Sequence, residues 1–261
     1  MNHVPAIFFE GVFYDFLKGT LLPACDLSGR FGKIATRTYA KGHKHRVLLN
    51  NGRLHTETYY NRDDRPFDGE NASRKHLIHT TVIIYADQQR RSADSAALKK
   101  VSSAVKRRPI VIALRTSDIS KEMSKFVESI QFIVDLQILR EVTSAVLKMM
   151  ESVVRKNTLN SIIFQVNIVI EPQTTQLLVD HLKQKQFHTV FLPMSCTTAI
   201  NAILESWREN ADEMVGKIVY CRERLVDLQL LTQFEECTEE EERDAQRAYP
   251  FAGYWSKITT K

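Results

Sequence analysis

Cysteine is scarce in this chain, and the signature motifs of several enzyme classes do not occur in it. The 261 residues include four cysteines, with no C-x-x-C pair and no histidine spacing that completes a zinc site. Phosphate-binding loops of the G-x-x-x-x-G-K-[ST] and G-x-G-x-x-G types are missing, as are the G-x-S-x-G and H-E-x-x-H signatures. We therefore predict no metal, no cofactor and no enzymatic activity, and free thiols in a reducing compartment.

Long uninterrupted apolar runs are also missing. The apolar start at residues 6–17 is broken by Glu10 and Asp15 and has no basic leader, so it matches neither a signal peptide nor a membrane span. We expect an intracellular protein, cytoplasmic or nuclear, that does not bind a membrane.

Charge is unevenly distributed along the chain, whose formal net charge is +5. Residues 30–108 contain eighteen Lys or Arg against seven Asp or Glu, whereas residues 235–244 are mostly acidic. A basic excess favours acidic partners such as nucleic acid, but it is also common on solvated surfaces. Because no nucleic-acid-binding motif accompanies it, a basic nucleic-acid-associated module is an alternative interpretation and not the leading one.

Six short apolar runs, each separated from the next by a helix-patterned segment, recur along the last two-thirds of the chain. They lie at residues 81–86, 110–114, 132–136, 162–166, 190–192 and 218–220, with centres 28, 23, 29, 27 and 29 residues apart. A period of about 20 to 29 residues with one strand and one helix per unit is typical of a leucine-rich-repeat solenoid. Such arrays usually bind proteins.

A doubly wound parallel sheet is the alternative fold. Residues 82–84 and 110–112 are apolar on both strand faces, which suits a sheet covered on both sides. The interval of 23 residues, however, is short for a complete crossover unit of about 30 residues. Both interpretations give an α/β fold with parallel strands and outer helices, and we favour the solenoid.

The first sixty residues have a different pattern and predict a small, mainly helical domain with a β-hairpin. Two helical stripes precede residues 45–49 and 53–60, which flank Asn50-Asn51-Gly52, a strong hairpin signal. The expected organisation is an N-terminal domain at 1–60, a linker at 61–75, a strand–helix repeat domain at 76–234 and an acidic, aromatic tail at 235–261. The aromatic residues of the tail would cover the end of the array or dock into a partner.

Strand positions that alternate with the core positions would face outward from the sheet. The spacing Leu159-x-x-Ile162-x-Phe164 recurs as Phe187-x-x-Val190-x-Leu192, which assigns these six side chains to the core. We predict a partner-binding surface at the outward positions Tyr85, Gln137, Ile163, Gln165 and Phe191.

Residues near the N-terminus resemble an F-box. In that motif an opening Leu-Pro begins one helix, and an apolar-Ser-x-x-aromatic stretch forms another. The resemblance rests on Val4-Pro5, on Val12 and Leu17, and on residues 26–35, with Val in place of the opening Leu. The unit at 187–220 is similar to the expanded F-box-like families of nematodes.

The resemblance implies a non-catalytic adaptor. F-box segments dock on a Skp-type subunit of a cullin ubiquitin ligase, and the attached repeats select an unknown protein substrate. The positions that match the apolar F-box residues, and that would bind the adaptor, are Val4, Pro5, Val12, Leu17, Leu27 and Phe31. Alternatively, these residues pack the N-terminal segment against the repeats, and the chain is a stand-alone scaffold with a defunct F-box.

Overall fold

A computed structural model describes residues 24–61, 63–69, 77–86, 94–104, 109–165, 168–193, 196–221 and 256–258. Its helices are α1 Gly29–Lys41, α2 Ser95–Ala104, α3 Lys121–Ser129, α4 Ser144–Val154, α5 Pro172–Leu182, α6 Thr197–Glu209 and α7 Ala211–Met214. Its strands are β1 His43–Asn50, β2 Arg53–Asn61, β3 Pro66–Phe67, β4 Leu77–Tyr85, β5 Ile110–Leu114, β6 Ile133–Ile138, β7 Ser161–Phe164, β8 Thr189–Phe191, β9 Ile218–Cys221 and β10 Ser256–Ile258.

The described strands form one sheet in the order β10-β9-β8-β7-β6-β5-β4-β1-β2-β3. From β4 to β9 every strand pairs in parallel with the next strand of the chain, and β1 pairs in parallel with β4. The fold is therefore α/β with a mostly parallel sheet, as predicted. A doubly wound sheet requires a reversal of the strand order, and the order of β4 to β9 contains none. Because crossovers between parallel strands share one hand, this order places the connecting helices on one side of the sheet.

The hydrophobic core lies between the sheet and the helices. Its strand positions are those that alternate toward the helices, and its helix positions follow the apolar stripes of the sequence. Its fully or nearly fully buried members include Val47, Val82, Ile84, Ile112, Leu136, Ile138, Ile162, Val190 and Val219 from the strands and Met123, Phe126, Val127, Met149, Met150, Leu178, Leu182, Ile200, Ile203 and Trp207 from the helices. The six side chains of the repeated spacing at 159–164 and 187–192 are all at most 2% exposed, so their assignment to the core is confirmed.

Local signals fix where several helices begin. The Ser120 hydroxyl accepts the Met123 N–H at the start of α3, and the Thr143 hydroxyl accepts the Val146 N–H at the start of α4. These bonds satisfy N–H groups that have no partner within the helix. Pro172 occupies the first turn of α5, as the sequence predicts, because its missing N–H costs nothing there.

The hairpin of β1 and β2 lies in the same sheet as the repeat strands. Because β1 hydrogen-bonds to β4, the hairpin of the expected N-terminal domain and the strands of the expected repeat domain belong to one sheet, on the two sides of the expected linker. Within the expected linker, β3 pairs with β2, and within the expected tail, β10 pairs with β9. Pairing with β1 and with β10 satisfies backbone N–H and C=O groups of β4 and β9 that would otherwise lie unpaired at a sheet edge.

The turn of this hairpin is the one that the Asn-Gly pair predicts. Asn51 and Gly52 have φ values of 49° and 74°, the left-handed region that a tight two-residue turn needs at both positions. We expect Gly52→Val to lower the free energy of unfolding by about 1–2 kcal/mol, since a β-branched side chain is strained there. Asn51→Gly, at the neighbouring left-handed position, is the matched control and should change little. Urea denaturation measures both, and a Gly52→Val protein as stable as the parent would contradict the account.

Candidate functional site: the sheet face turned away from the helices

The face of the sheet turned away from the helices, here called the distal face, carries two rows of side chains. In each row, the residues are register partners on the adjacent strands β1 and β4 to β9. We call the two rows the polar row and the apolar row. The polar row consists of Arg46, Thr81, Val111, Asp135, Ser161, Thr189 and Ile218. The apolar row consists of Leu48, Ile83, Ala113, Gln137, Ile163, Phe191 and Tyr220.

The structure brings three of the predicted partner-binding residues together in the apolar row. Gln137, Ile163 and Phe191 are register partners on the adjacent strands β6, β7 and β8. Gln137 is half-buried, but Ile163 and Phe191 are only 7% and 3% exposed. These two side chains therefore offer little surface to a partner, and their binding role stays a prediction.

The other two predicted residues lie at the carboxyl ends of their strands. Tyr85 ends β4 opposite Asn50, and its ring meets the His55 ring edge-on with centroids 6.1 Å apart. Gln165 follows β7, and its backbone N–H donates to the Ile138 carbonyl at 2.8 Å. Gln165 is exposed and Tyr85 is half-buried, so both side chains remain reachable by a partner.

Asp135 is the chemically distinctive member of the polar row. The Ser161 hydroxyl donates to its Oδ1 at 2.6 Å, and the two residues are register partners. Burial raises the pKa of the Asp135 carboxyl, and the hydrogen bond from Ser161 opposes that shift. The distal face thus contains a carboxylate in poorly solvated surroundings beside apolar side chains.

An aromatic pair closes the apolar row at its β9 end. The rings of Phe191 and Tyr220 stack with centroids 4.5 Å apart and planes 11° apart. Tyr220 is half-buried and Phe191 is buried, so the tyrosine edge forms the reachable part of the pair. Aromatic side chains with a polar tip are enriched where proteins contact each other.

Two cations lie at the β1 end of the distal face. Lys44 forms an ion pair with Asp64 at 2.6 Å, and the Arg46 guanidinium lies 4.5 Å from the centre of the Tyr60 ring. Burial lowers the pKa of the neighbouring His79 to about 4, and Lys44 adds to the effect. Each of the two cations is thus engaged with a group of the chain itself.

A histidine network on the helix side of β1 has the composition of a catalytic triad. His45 Nδ1 lies 3.3 Å from the Thr80 hydroxyl and His45 Nε2 lies 2.9 Å from a Glu57 carboxylate oxygen, while the His45 ring stacks on Tyr59. Burial lowers the pKa of His45 although Glu57 opposes the shift. Thr80 is 0% exposed, so a substrate cannot reach its hydroxyl. The network instead pairs polar groups that folding removes from water.

Two of the predicted adaptor-binding residues lie in the described part of the chain. Leu27, just before α1, is 52% exposed, and Phe31 packs partly buried against a small cluster formed by Ala24, Ile34 and Ala35. Val4, Pro5, Val12 and Leu17 lie outside the described residues.

No family model matches the chain, and no curated protein matches it.

In the part of the chain that the structure describes, no helix is long and apolar enough to span a membrane. Within the same part, no three His, Cys, Asp or Glu side chains come together as a metal site. The class that the fold defines is an α/β protein with a mostly parallel sheet.

Sequence reasoning did not single out Asp135, Ser161 and Tyr220. Asp135 did carry a signal, since it is an acidic residue inside the apolar run 132–136. Ser161 could be joined to it only through strand register, which places the two residues side by side although 26 positions separate them.

Proposed function

We propose that this chain is a non-catalytic protein-binding adaptor, built as a leucine-rich-repeat-like solenoid, that recognises its partner with the distal face. The observation that carries the proposal is the unbroken sequential order of β4 to β9. That order stacks one strand–helix unit on the next and leaves one sheet face facing away from the helices. Stacked units of this kind provide extended binding surfaces.

Contacts between successive units support a repeat array. Lys156 Nζ donates to three carbonyl oxygens at the C-terminal end of α3 and directly after it, the shortest contact being 2.6 Å. One unit later, the Gln184 side-chain amide donates to the carbonyl of Val154, the last residue of α4. In the next unit Lys217 Nζ donates to the loop after α5. The C-terminal end of each of these three helices, or the loop directly after it, therefore accepts hydrogen bonds from a side chain of the following unit, which is the nearest-neighbour coupling expected of repeats.

The dimensions and chemistry of the distal face favour a macromolecular partner. Seven strands from β1 to β9 contribute to its rows, which at about 4.8 Å between strands gives a span of about 29 Å. Half-buried side chains of mixed character, among them Thr81, Gln137, Thr189 and Tyr220, are spread over this span. A long, mixed surface suits a protein, whereas small molecules bind in concave pockets.

The role as a substrate-recognition subunit of a cullin-type ubiquitin ligase rests on the F-box resemblance. The 52% exposure of Leu27 suits a residue that contacts a Skp-type adaptor, because an apolar side chain on a surface gains by burial in a groove. The partly buried Phe31 suits the second expected task of F-box residues, which is to hold the small helical segment together.

Affinity capture from a eukaryotic lysate tests this role. We expect the full chain to recover a Skp-type adaptor and a cullin, and the double variant Val4→Asp/Leu17→Asp to lose both, since two charges in an apolar contact stripe prevent docking. Quantitative mass spectrometry of the captured proteins is the readout.

Val169→Asp is the matched control, because Val169 is an apolar residue that is 72% exposed elsewhere on the protein. It should recover the same proteins as the parent. Undiminished capture by the double variant, or no ligase subunit with the parent chain, would refute the ligase role. Thermal unfolding of all three proteins separates lost binding from lost folding.

A further inference from the structure

Helix α1 carries a row of basic residues on its exposed side. Arg30, Lys33, Arg37 and Lys41 follow each other at intervals of three, four and four residues. At about 100° per residue, this spacing places all four within about 80° of the helix circumference. The row, here called the basic face of α1, is about 16 Å long, since a helix rises about 1.5 Å per residue. Each of the four residues is exposed, so a partner can reach it.

The opposite side of α1 fixes the orientation of the helix. Ile34 and Ala35 are 8% and 0% exposed and form a small core with Ala24, against which Phe31 and Tyr39 pack. The apolar residues of α1 are therefore turned toward the protein and the basic face is turned toward solvent. A helix held in this way presents its cations as a row in fixed order.

The charge of the basic face is not neutralised within the helix. α1 contains no Asp or Glu, and the nearest acidic residue in the sequence, Asp26, precedes it. Among the described residues, no ion pair involves any of the four cations. Like charges three and four residues apart repel each other and destabilise a helix. An anionic ligand that lies along the row would remove this repulsion.

The composition of the basic face favours the backbone of a nucleic acid as that ligand. Its exposed neighbours are Thr36 and Ala40, which provide none of the large aromatic or apolar anchors of a protein interface. Helices that bind membranes insert their apolar side, whereas that of α1 is buried in the protein. Nucleic acids bind through charge alone, because cations that neutralise phosphates release condensed counterions.

We infer that the basic face of α1 binds the phosphodiester backbone of a nucleic acid, without reading its base sequence. Four cations along about 16 Å would neutralise about four phosphates. The inference goes beyond the proposed function, because it uses neither the distal face nor the expected adaptor contacts at Leu27 and Phe31.

Fluorescence anisotropy with the full chain tests the inference on labelled probes of about 20 nucleotides, a DNA duplex and a single-stranded RNA. We expect binding at low salt to at least one probe. Four phosphate contacts give a slope of log Kd against log salt of at least about 3.6 for the duplex, or about 2.8 for the single strand. This slope is measured on the parent chain and so does not depend on the folding of a variant. Lys33→Gln/Arg37→Gln removes two charges and should weaken binding at least tenfold and lower the slope by about 2.

Two further variants control for the loss of charge and for the identity of the side chains. Lys121→Gln/Lys125→Gln removes two charges at the same spacing from the exposed surface of α3 and should leave affinity and slope unchanged. Lys33→Arg/Arg37→Lys keeps the charges and should bind like the parent. Absence of binding to both probes at low salt, equal affinity of the α1 and α3 glutamine variants, or tighter binding to vesicles that contain phosphatidylserine would overturn the inference. None of these outcomes bears on the distal face, so the proposed function is tested separately.

Discussion

Replacing Lys217 with methionine is expected to lower the free energy of unfolding by about 3 kcal/mol. Lys217 is only 3% exposed, and its ammonium group donates to the Gln184 and Phe187 carbonyls at 2.6 Å each and to the Lys185 carbonyl at 3.4 Å. Methionine fills similar space but donates nothing, so buried carbonyl oxygens lose their partner. Removing the desolvated charge, whose pKa burial lowers, offsets part of this loss.

Urea denaturation at neutral pH measures the effect as a shift of the midpoint at constant slope. Lys185→Met is the matched control, because the Lys185 side chain is exposed and only its backbone carbonyl takes part in the contact. Its free energy of unfolding should stay within about 0.5 kcal/mol of the parent. A Lys217→Met protein as stable as this control would show that the link between these two units contributes nothing.

Acidification is expected to destabilise the fold through His181 by up to about 3 kcal/mol between pH 7 and pH 4. Burial is the main cause that lowers the pKa of His181 to about 4; the hydrogen bond with Gln184 opposes this shift, and Lys217 contributes to it. The unfolded chain binds a proton near pH 6.5 and the folded chain only near pH 4. Between these values the unfolded state holds more protons, so stability falls as the pH falls.

The His181→Asn variant isolates this contribution, since it removes the titrating ring at a fully buried position in contact with Phe187. We expect its stability to vary less with pH than that of the parent between pH 7 and pH 4. His188→Asn replaces an exposed histidine in the neighbouring loop and should retain the parental pH dependence. Parallel pH profiles for the parent and His181→Asn would contradict the assignment. Comparing variants cancels the opposite contribution of Asp135, whose raised pKa favours the folded state as the pH falls.

Local sequence signals predicted much of the fold. Apolar runs located the six strands β4 to β9, and the Asn51-Gly52 pair located the hairpin turn. These features depend on periodicity and on backbone conformation within a few residues, which a sequence displays directly. The α/β class with parallel strands followed from the regular alternation of strand and helix.

Long-range pairing was beyond the reach of sequence reasoning. Nothing local shows that β1 lies against β4, or that Lys156 and Lys217 donate to backbone carbonyls 26 to 33 residues before them. From the sequence alone, a lysine before a strand is expected to be a solvated charge. Its hydrogen bonds become evident only when the position of the preceding unit is known. For the same reason the pairing of Asp135 with Ser161, on which the candidate site depends, became visible only through the register of β6 and β7.

The most direct test of the central claim, partner recognition by the distal face, is a comparison of proteins captured from a eukaryotic lysate by three forms of the full chain. Gln137→Arg places a bulky cation on the half-buried middle of the apolar row, and Gln173→Arg makes the same change on the exposed surface of α5. We predict that the parent and Gln173→Arg capture the same proteins and that Gln137→Arg, folded by circular dichroism, loses those that the repeats bind. Identical capture by all three forms would contradict the claim.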